Sequence, residues 1–342
     1  MKEGWEIKKF ENCIGKIPKP QQLKTSDYKS KGRYPIVSQE ACTISGYTDL
    51  QDCVYLVEKP VVIFGDHTRV LKYINFSFVV GADGVKILIP NNEFDSKFFY
   101  YYLTWCDIPS LGYSRHYKLL KELNIPVPPL PTQEKIVAEL DCINSIIEKK
   151  REQLKELDAL AQAIFYDMFG DPIRNEKGWE TCRVIDVVKM QRGYDLPVQQ
   201  RNIDGKIPVY GSNGIIAYHN ESKMNYGVVT GRSGTIGGVY ISHIPFWPLN
   251  TTLFSIDTYG NNIVYIKYLL EAFDLKRFKE GAGVPTLNRN NFHNEIIIKV
   301  NLELQLQFAS KIEAIEKQKE LIKRSIAEVE TLLASRMQYY FG

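Results

Sequence analysis

The strongest constraint on this chain is that its sequence repeats itself once. Three short segments recur at a nearly constant offset of 172 to 174 residues. The pairs are Gly4-Trp5-Glu6 with Gly178-Trp179-Glu180, Tyr34-Pro35-Ile36-Val37 with Ile207-Pro208-Val209-Tyr210, and Phe169-Gly170 with Phe341-Gly342. A constant offset predicts one structural unit written twice, and each copy is long enough for one globular domain plus one long helix.

The end of each copy carries a seven-residue apolar repeat. The first series is Ile136, Leu140, Ile143, Ile147, Lys150, Leu154, Leu157, Ala161, Ile164 and Met168, and the second is Phe308, Ile312, Ile315, Lys319, Ile322, Ile326, Val329, Leu333, Arg336 and Tyr340. Nine members of the first series and eight of the second are apolar or aromatic. A stripe of this period keeps facing one partner, so the pattern predicts two coiled-coil helices.

The two stripes are expected to pair with each other in antiparallel fashion, and the alternative is that each packs on its own domain. Lys150 and Lys319 interrupt the stripes, and we expect them to extend their ammonium groups to water rather than to set the register. Thr132 and Asn301 are candidate N-caps, and Gly170 followed by Pro172 is a candidate stop for the first helix.

The blocks before the helices predict an α+β fold of mainly short strands, with helical stretches over 98–105 and 263–273. The predicted order is a globular domain over 1–131, a long helix over 132–170, a second domain over 171–301 and a second long helix over 302–342. The prolines of segment 126–131 predict a stiff extended linker into the first helix.

Composition adds weak support for a polyanionic ligand. The chain of 342 residues has a net charge of +3, and the four predicted segments carry +3, −3, +3 and 0 in chain order. The positive excess therefore lies in the two globular blocks. The longest apolar runs have only strand length, and no secretion signal opens the sequence, so we expect a cytoplasmic protein with six reduced cysteines and no membrane span.

The motifs of common active sites are absent from the sequence. It has no GxxxxGK[ST] phosphate loop, no HExxH metal motif, no nucleophile elbow and no [DNS]PP[YFW] tetrapeptide of amino-methyltransferases. The segment Gly231–Gly238 is rich in glycine, but Ser233 stands where GxGxxG requires a glycine, and no predicted helix follows. We therefore expect a protein without an active site of its own, and no metal ligands.

The order of these features resembles the DNA-specificity subunit of type I restriction–modification systems. The resemblance covers essentially the whole chain and includes the two Gly-Trp-Glu starts, the junction Asn124–Ile136 and the helix ending Phe165–Gly170. The second junction, Ile296–Gln305, departs from the pattern because it lacks the prolines.

The resemblance implies a non-catalytic reader of a two-part site on double-stranded DNA, with one domain for each half-site and the helix pair as spacer. It also implies two methyltransferase subunits as partners, with restriction subunits joining. S-adenosylmethionine, ATP and Mg²⁺ would bind to those partners and not to this chain. Two alternatives stay open: the specificity subunit of a system with a fused nuclease–methyltransferase, and a duplicated scaffold that binds protein.

The candidate DNA contacts are cationic or amide side chains, or accessible backbone, on predicted exposed loops, because such groups bind phosphates and base edges. The first-block candidates are His67, Thr68, Arg69, Lys72, Arg115, His116, Tyr117 and Lys118. The second-block candidates are Gly211, Ser212, Asn213, Arg232, Ser233, Asn288, Arg289 and Asn290. For each of them the alternative is an ordinary solvated surface residue, and for His67 and His116 a hydrogen-bonded structural histidine is a further alternative.

Overall fold

The computed structural model describes residues 4–112, 114–202, 204–281 and 283–342. The chain divides into two compact units. The first unit comprises residues 1–151 and 324–342, and the second comprises residues 152–323. Each unit therefore contains one globular block and parts of both long helices.

Among its described residues, the first unit contains short strands and short helices besides its parts of the long helices. Its strands are β1 Glu6–Lys9, β2 Gln22–Leu23, β3 Tyr34–Val37, β4 Gly46–Thr48, β5 Val54–Tyr55, β6 Val61–Gly65, β7 Leu71–Ile74, β8 Phe78–Gly81, β9 Val85–Leu88 and β10 Asn124–Val127. Its helices are α1 Phe10–Cys13, α2 Ser96–Trp105 and α3 Tyr117–Lys121, followed by the long helix α4 Leu130–Phe169. The strand orders are β2-β8-β3-β4 with β5 also on β8, β7-β6-β9, and the pair β1-β10.

The second unit repeats this plan. Its strands are β11 Glu180–Arg183, β12 Lys189–Arg192, β13 Ile207–Gly211, β14 Gly214–His219, β15 Gly227–Gly231, β16 Val239–Ser242, β17 Trp247–Pro248, β18 Thr252–Asp257, β19 Lys279–Glu280, β20 Thr286–Leu287 and β21 Ile296–Lys299. Its helices are α5 Val184–Val187, α6 Ile263–Ala272 and α7 Arg289–His293, followed by the long helix α8 Leu302–Phe341. The strand orders are β12-β18-β15-β16, β14-β13-β17, β11-β21 and β19-β20.

In both units an antiparallel strand pair closes the domain just before the long helix begins. β1 pairs with β10, and β11 pairs with β21. Because the first and last strands of each domain are neighbours, the start of the long helix is fixed to the start of the domain. The two units therefore share one organisation.

The long helices run antiparallel to each other. In the first unit Glu139 contacts Arg336 and Arg151 contacts Glu330, and in the second unit Asp158 contacts Lys319. Each seam position of both apolar series is buried or half-buried. The prediction of an α+β fold with two similar domains and an antiparallel helix pair is confirmed.

The ends of the seam also belong to the domain cores. Ile136 and Leu140 lie in the first unit's core, together with Phe341 from the end of α8. Phe169, at the end of α4, lies in the second unit's core with Phe308. Each long helix thus begins in the core of its own repeat and ends in the core of the other.

The structure corrects the expected start of the first long helix. The helix begins at Leu130 rather than after a cap at Thr132, and Pro131 lies in its first turn. Proline is tolerated there because the first N–H groups of a helix have no intrahelical acceptor. Pro126 lies in β10, so the extended linker over 126–131 is wrong in its bounds.

Two other predicted ends of the long helices, the cap at Asn301 and the stop at Gly170, are confirmed. The Asn301 carboxamide accepts the Leu304 N–H at 3.0 Å and caps α8. Gly170 follows α4 with a φ of 74°, which a residue with a Cβ rarely adopts, and its N–H donates to the Tyr166 carbonyl.

The expectation that Lys319 reaches water is wrong. Its side chain is 13% exposed, and its ammonium contacts Asp158 on the opposite helix and Glu316 on its own, both at 2.7 Å. These carboxylates raise the pKa of Lys319 despite the burial that opposes it. Lys150 is half-buried.

Candidate nucleic-acid interface

Each unit brings together a turn after a central buried strand and the segment that leads into a short helix. In the first unit the turn over 66–70 follows β6, and in the second unit the turn over 232–238 follows β15. The His116 N–H donates to the Asp66 carbonyl at 2.8 Å, and the Leu287 N–H donates to the Arg232 carbonyl at 2.8 Å. An equivalent backbone hydrogen bond, called the tie below, therefore joins the two candidate segments in both halves of the chain.

In the second unit this tie positions a polar cleft with a volume of about 370 Å³. Its lining includes three arginines and two asparagines. The lining residues are Arg192, Arg232, Leu253, Glu280, Thr286, Leu287, Asn288, Arg289 and Asn290. Guanidinium and carboxamide groups are the side chains that contact phosphates and base edges, so the cleft has the chemistry of a DNA-reading surface.

The backbone of the second turn is held on both sides. Arg232 and Ser233 donate their N–H groups to the Thr251 carbonyl at 2.8 and 3.1 Å, and Gly234 donates to the Pro285 carbonyl at 3.0 Å. Gly234 has a φ of 88°, and a Cβ on Gly231 would lie 1.8 Å from the Thr235 oxygen. The glycines are therefore needed for the fold of this turn.

The hairpin of Gly211, Ser212 and Asn213 lies beside that turn. A Cβ on Gly231 would lie 3.2 Å from the Ser212 Cβ. Gly211 is buried, Ser212 is half-buried and Asn213 is exposed. All the second-block candidates thus lie in one region of the second unit.

Helix α7 is fixed by a neutral histidine. The His293 Nε2 accepts the Met190 N–H at 3.1 Å. Burial, together with the nearby Arg289 and Lys189, lowers the pKa of His293 to about 4. This contact joins α7 to β12, the strand that ends at Arg192, so it helps to position two sides of the cleft.

In the first unit some candidates are exposed and others serve the fold. Thr68, Arg69, Arg115 and Lys118 are exposed, whereas His67 and Tyr117 are half-buried. The Arg69 guanidinium donates one hydrogen bond to the Ile108 carbonyl at 2.8 Å. The exposed cations are the part of this region that is available to a phosphate backbone.

Two first-block candidates, Lys72 and His116, are buried, so the prediction that they lie on exposed loops is wrong. Lys72 lies on β7, is 6% exposed, and donates to the Ser38 and Cys42 carbonyls at 2.8 and 2.6 Å. Burial also lowers the pKa of Lys72. His116 is 1% exposed; its Nε2 accepts the Leu111 N–H at 2.9 Å, and its Nδ1 lies 2.9 Å from the Asp66 carbonyl.

Sequence reasoning missed Arg192 and two buried glutamines, Gln133 and Gln305. Arg192 reaches the cleft only because β12 pairs with β18, which places it opposite Leu253. No local signal marks that pairing. The glutamines do carry a signal, since they lie 172 residues apart, which is the offset of the repeat.

The described residues offer neither a metal site nor a membrane-spanning helix. That part of the chain contains no group of three or more His, Cys, Asp or Glu side chains that could hold a metal ion. Over the same ranges, none of the helices combines the length and apolar character needed to cross a membrane.

A family model described as type I restriction modification DNA specificity domain matches residues 2–158 and 176–331. The chain is 35% identical over 107 residues to the type I restriction enzyme MjaIX specificity subunit of Methanocaldococcus jannaschii, which covers 26% of this chain and 24% of the relative. It is 28% identical over 159 residues to the EcoR124I/EcoR124II specificity subunit of Escherichia coli, which covers 43% of this chain and 39% of the relative. The matches thus span between a quarter and two-fifths of these curated relatives.

Two solved structures share the fold over nearly the whole chain. One is the crystal structure of the S subunit of a type I restriction–modification system from M. genitalium, with a TM-score of 0.61, 15% identity, and coverage of 99% of this chain and 96% of that chain. The other, from work on complex assembly and conformational transition of the type I R-M system, has a TM-score of 0.56, 15% identity and coverage of 99% and 98%. At this identity the likeness concerns the fold alone.

Proposed function

Because the chain belongs to the type I restriction modification DNA specificity family, we propose that it is the non-catalytic subunit that reads a two-part site on double-stranded DNA. Each unit would contact one half-site. The methyl transfer to adenine, and any cleavage, would be carried out by partner subunits.

The observation that carries this proposal is the duplicated tie between a turn and a helix-entry segment. Both units hold the same two segments together by a backbone hydrogen bond of 2.8 Å, yet they present different side chains. The second unit presents Arg232, Asn288 and Asn290, and the first presents Arg115 and Lys118. One scaffold with two sets of side chains suits an asymmetric two-part target.

The helix pair suits the role of a spacer between the half-sites. Each long helix has 40 residues. A helix of this length extends about 60 Å. Deleting one heptad from each helix at facing positions, residues 147–153 and 324–330, would shorten the pair by about 10 Å. That length corresponds to about three base pairs.

The partners follow from the family and from what the chain offers. We propose two methyltransferase subunits that bind S-adenosylmethionine, with restriction subunits that use ATP and Mg²⁺. Away from the seam, the long helices expose many charged and polar side chains, including Glu148 and Lys323. These faces are available for subunits that sit on the helix pair.

The direct test is co-expression with a cognate methyltransferase subunit, followed by sequencing that maps methylated adenines. We expect one two-part motif. The double heptad deletion is expected to shorten its central spacer by about three base pairs and to leave both half-sites unchanged. An unchanged spacer would refute the spacer role, and the absence of any sequence-specific methylation would refute DNA reading.

A single substitution tests the second unit's role in reading. Arg232→Ala is expected to weaken or relax recognition at one half-site only, by about 1–3 kcal/mol if Arg232 contacts a base. The matched control is Arg174→Ala, since Arg174 is 76% exposed on the turn after α4 and lies outside the cleft. An unchanged motif and affinity in Arg232→Ala would remove this arginine from the reading surface.

A further inference from the structure

Two buried glutamines, one at the start of each long helix, make nearly the same set of hydrogen bonds. Gln133 is 0% exposed in the first turn of α4, and Gln305 is 1% exposed in the first turn of α8. A buried polar side chain is unfavourable unless it is hydrogen-bonded, so such a residue in an apolar junction needs a reason.

In the first unit Gln133 connects three segments. Its Oε1 accepts the N–H of Asp95 at 2.9 Å, and its Nε2 donates to the carbonyls of Glu93 and Pro128 at 2.7 and 2.8 Å. Asp95 is the N-cap of α2 and accepts the N–H groups of Lys97 and Phe98. The long helix, the domain helix and the strand junction are thereby joined at one carboxamide.

In the second unit Gln305 makes the corresponding contacts. Its Oε1 accepts the N–H of Asn262 at 2.9 Å, and its Nε2 donates to the Asn261 carboxamide oxygen and the Val300 carbonyl at 2.7 and 2.9 Å. Asn262 is the N-cap of α6, as Asp95 is of α2. The arrangement recurs although the second junction lacks the prolines of the first.

We propose that Gln133 and Gln305 are positioning residues that fix the direction in which each recognition domain meets its long helix. Both N–H groups of each carboxamide and its oxygen are engaged, and the partners come from the domain and from the junction. Rotation of a domain against its helix would break these three bonds together. On the proposed function, which this inference presupposes, that rigidity sets how strictly the spacing between half-sites is read.

The variants are Gln133→Met and Gln305→Met, which keep the length of the side chain and remove all three hydrogen bonds. Gln133→Glu is a harsher variant, because it keeps the acceptor for Asp95 but sets a buried carboxylate oxygen against the carbonyls of Glu93 and Pro128 in place of two N–H donors. The control is Gln307→Met, since Gln307 is exposed on α8 two residues after Gln305.

The first readout is the spacer distribution of methylated sites in the intact complex. We expect the preference for the native spacer over spacers one base pair longer or shorter to fall at least about fivefold, the factor for one net hydrogen bond of about 1 kcal/mol. The half-site sequences should not change. A residue that only stabilises the fold would lower methylation at every site and leave the spacer preference intact.

The second readout is amide hydrogen exchange of the purified chain. Exchange in the peptide containing Asp95 should be faster in the Gln133 variants, and that containing Asn262 in Gln305→Met, while the central strands of the same unit exchange as before. An unchanged spacer preference, or exchange no faster than in Gln307→Met, overturns the proposal. If the unsubstituted complex methylates no two-part site, the proposed function fails, and exchange at Asp95 and Asn262 still decides whether the glutamines hold the junction.

Discussion

Each long helix ends in the core of the other repeat, and this arrangement leads to a prediction that would not hold for two independent halves. Phe341, from the second repeat, is 2% exposed in the first unit's core, where its ring centroid lies 5.5, 5.5 and 6.1 Å from those of Phe98, Tyr102 and Trp105. Phe169, from the first repeat, is 0% exposed in the second unit's core. We expect Phe341→Ala to destabilise the first unit and Phe169→Ala to destabilise the second.

The magnitude follows from the burial and the aromatic contacts. Replacing a fully buried phenylalanine with alanine costs about 3–5 kcal/mol, because apolar contacts are lost and a cavity remains. A domain has an unfolding free energy of about 5–15 kcal/mol, so the change removes a large share of it. A loss of about 3 kcal/mol raises the population of the open form at least about a hundredfold.

Hydrogen exchange resolved by peptide measures the two units separately. In Phe341→Ala, the peptides of α2 should exchange at least about a hundredfold faster, while those of α6 stay close to their rate in the unsubstituted chain. Phe169→Ala should show the opposite pattern. Leu332→Ala is the control, since Leu332 is 49% exposed on α8. If Phe341→Ala accelerates hydrogen exchange in the second unit rather than the first, the placement of each helix end in the core of the other repeat is refuted.

Three further predictions concern charged groups. His293 has a pKa of about 4 in the folded chain against an ordinary value of 6.5, so the unfolded chain takes up this proton first as the pH falls. The free energy of unfolding of the second unit should therefore fall by up to about 3 kcal/mol between about pH 6.5 and pH 4. Denaturant unfolding of the unsubstituted chain and of His293→Gln at several pH values checks this, because the difference between them should depend on pH. Lys319→Met should leave the thermal stability equal or higher, because an apolar residue restores the seam. Asp158→Asn should lower the free energy of unfolding by up to about 1 kcal/mol. Marked destabilisation by Lys319→Met would contradict this. Lys72→Met should destabilise the first unit by about 1–3 kcal/mol without changing the salt dependence of DNA binding. Lys118→Ala should instead reduce the slope of log K against log salt concentration by about one if Lys118 contacts a phosphate. Filter binding at several salt concentrations separates the two cases.

Features that repeat along the chain could be predicted because their signal is local. The apolar period of the two helices, the Gly170 stop and the Asn301 cap depend on residues within a few positions of each other, and the structure confirms them. The repeated Gly-Trp-Glu starts likewise indicated two similar domains. Whether the candidate residues contact DNA stays a prediction, as do the domain boundaries at 131, 170 and 301.

Positions that depend on distant partners could not be placed in this way. In the sequence, Lys72 resembles a lysine on an exposed surface. In the structure, carbonyls of residues more than 25 positions away enclose its ammonium. The partner of Lys319 is Asp158 on the other long helix, and Arg192 lines the cleft only through strand pairing. Each of these environments is assembled by contacts that no local pattern encodes.

By itself the sequence determined that the chain is written twice and that each copy ends in a helix with an apolar face, because periodicity and turn chemistry act between near neighbours. Only the tertiary structure decided which core receives each helix end, which cations remain exposed and which polar side chains hold a domain to its helix. Those outcomes depend on burial and hydrogen bonding between residues far apart in the chain, where the same lysine or glutamine is favourable or unfavourable according to its surroundings.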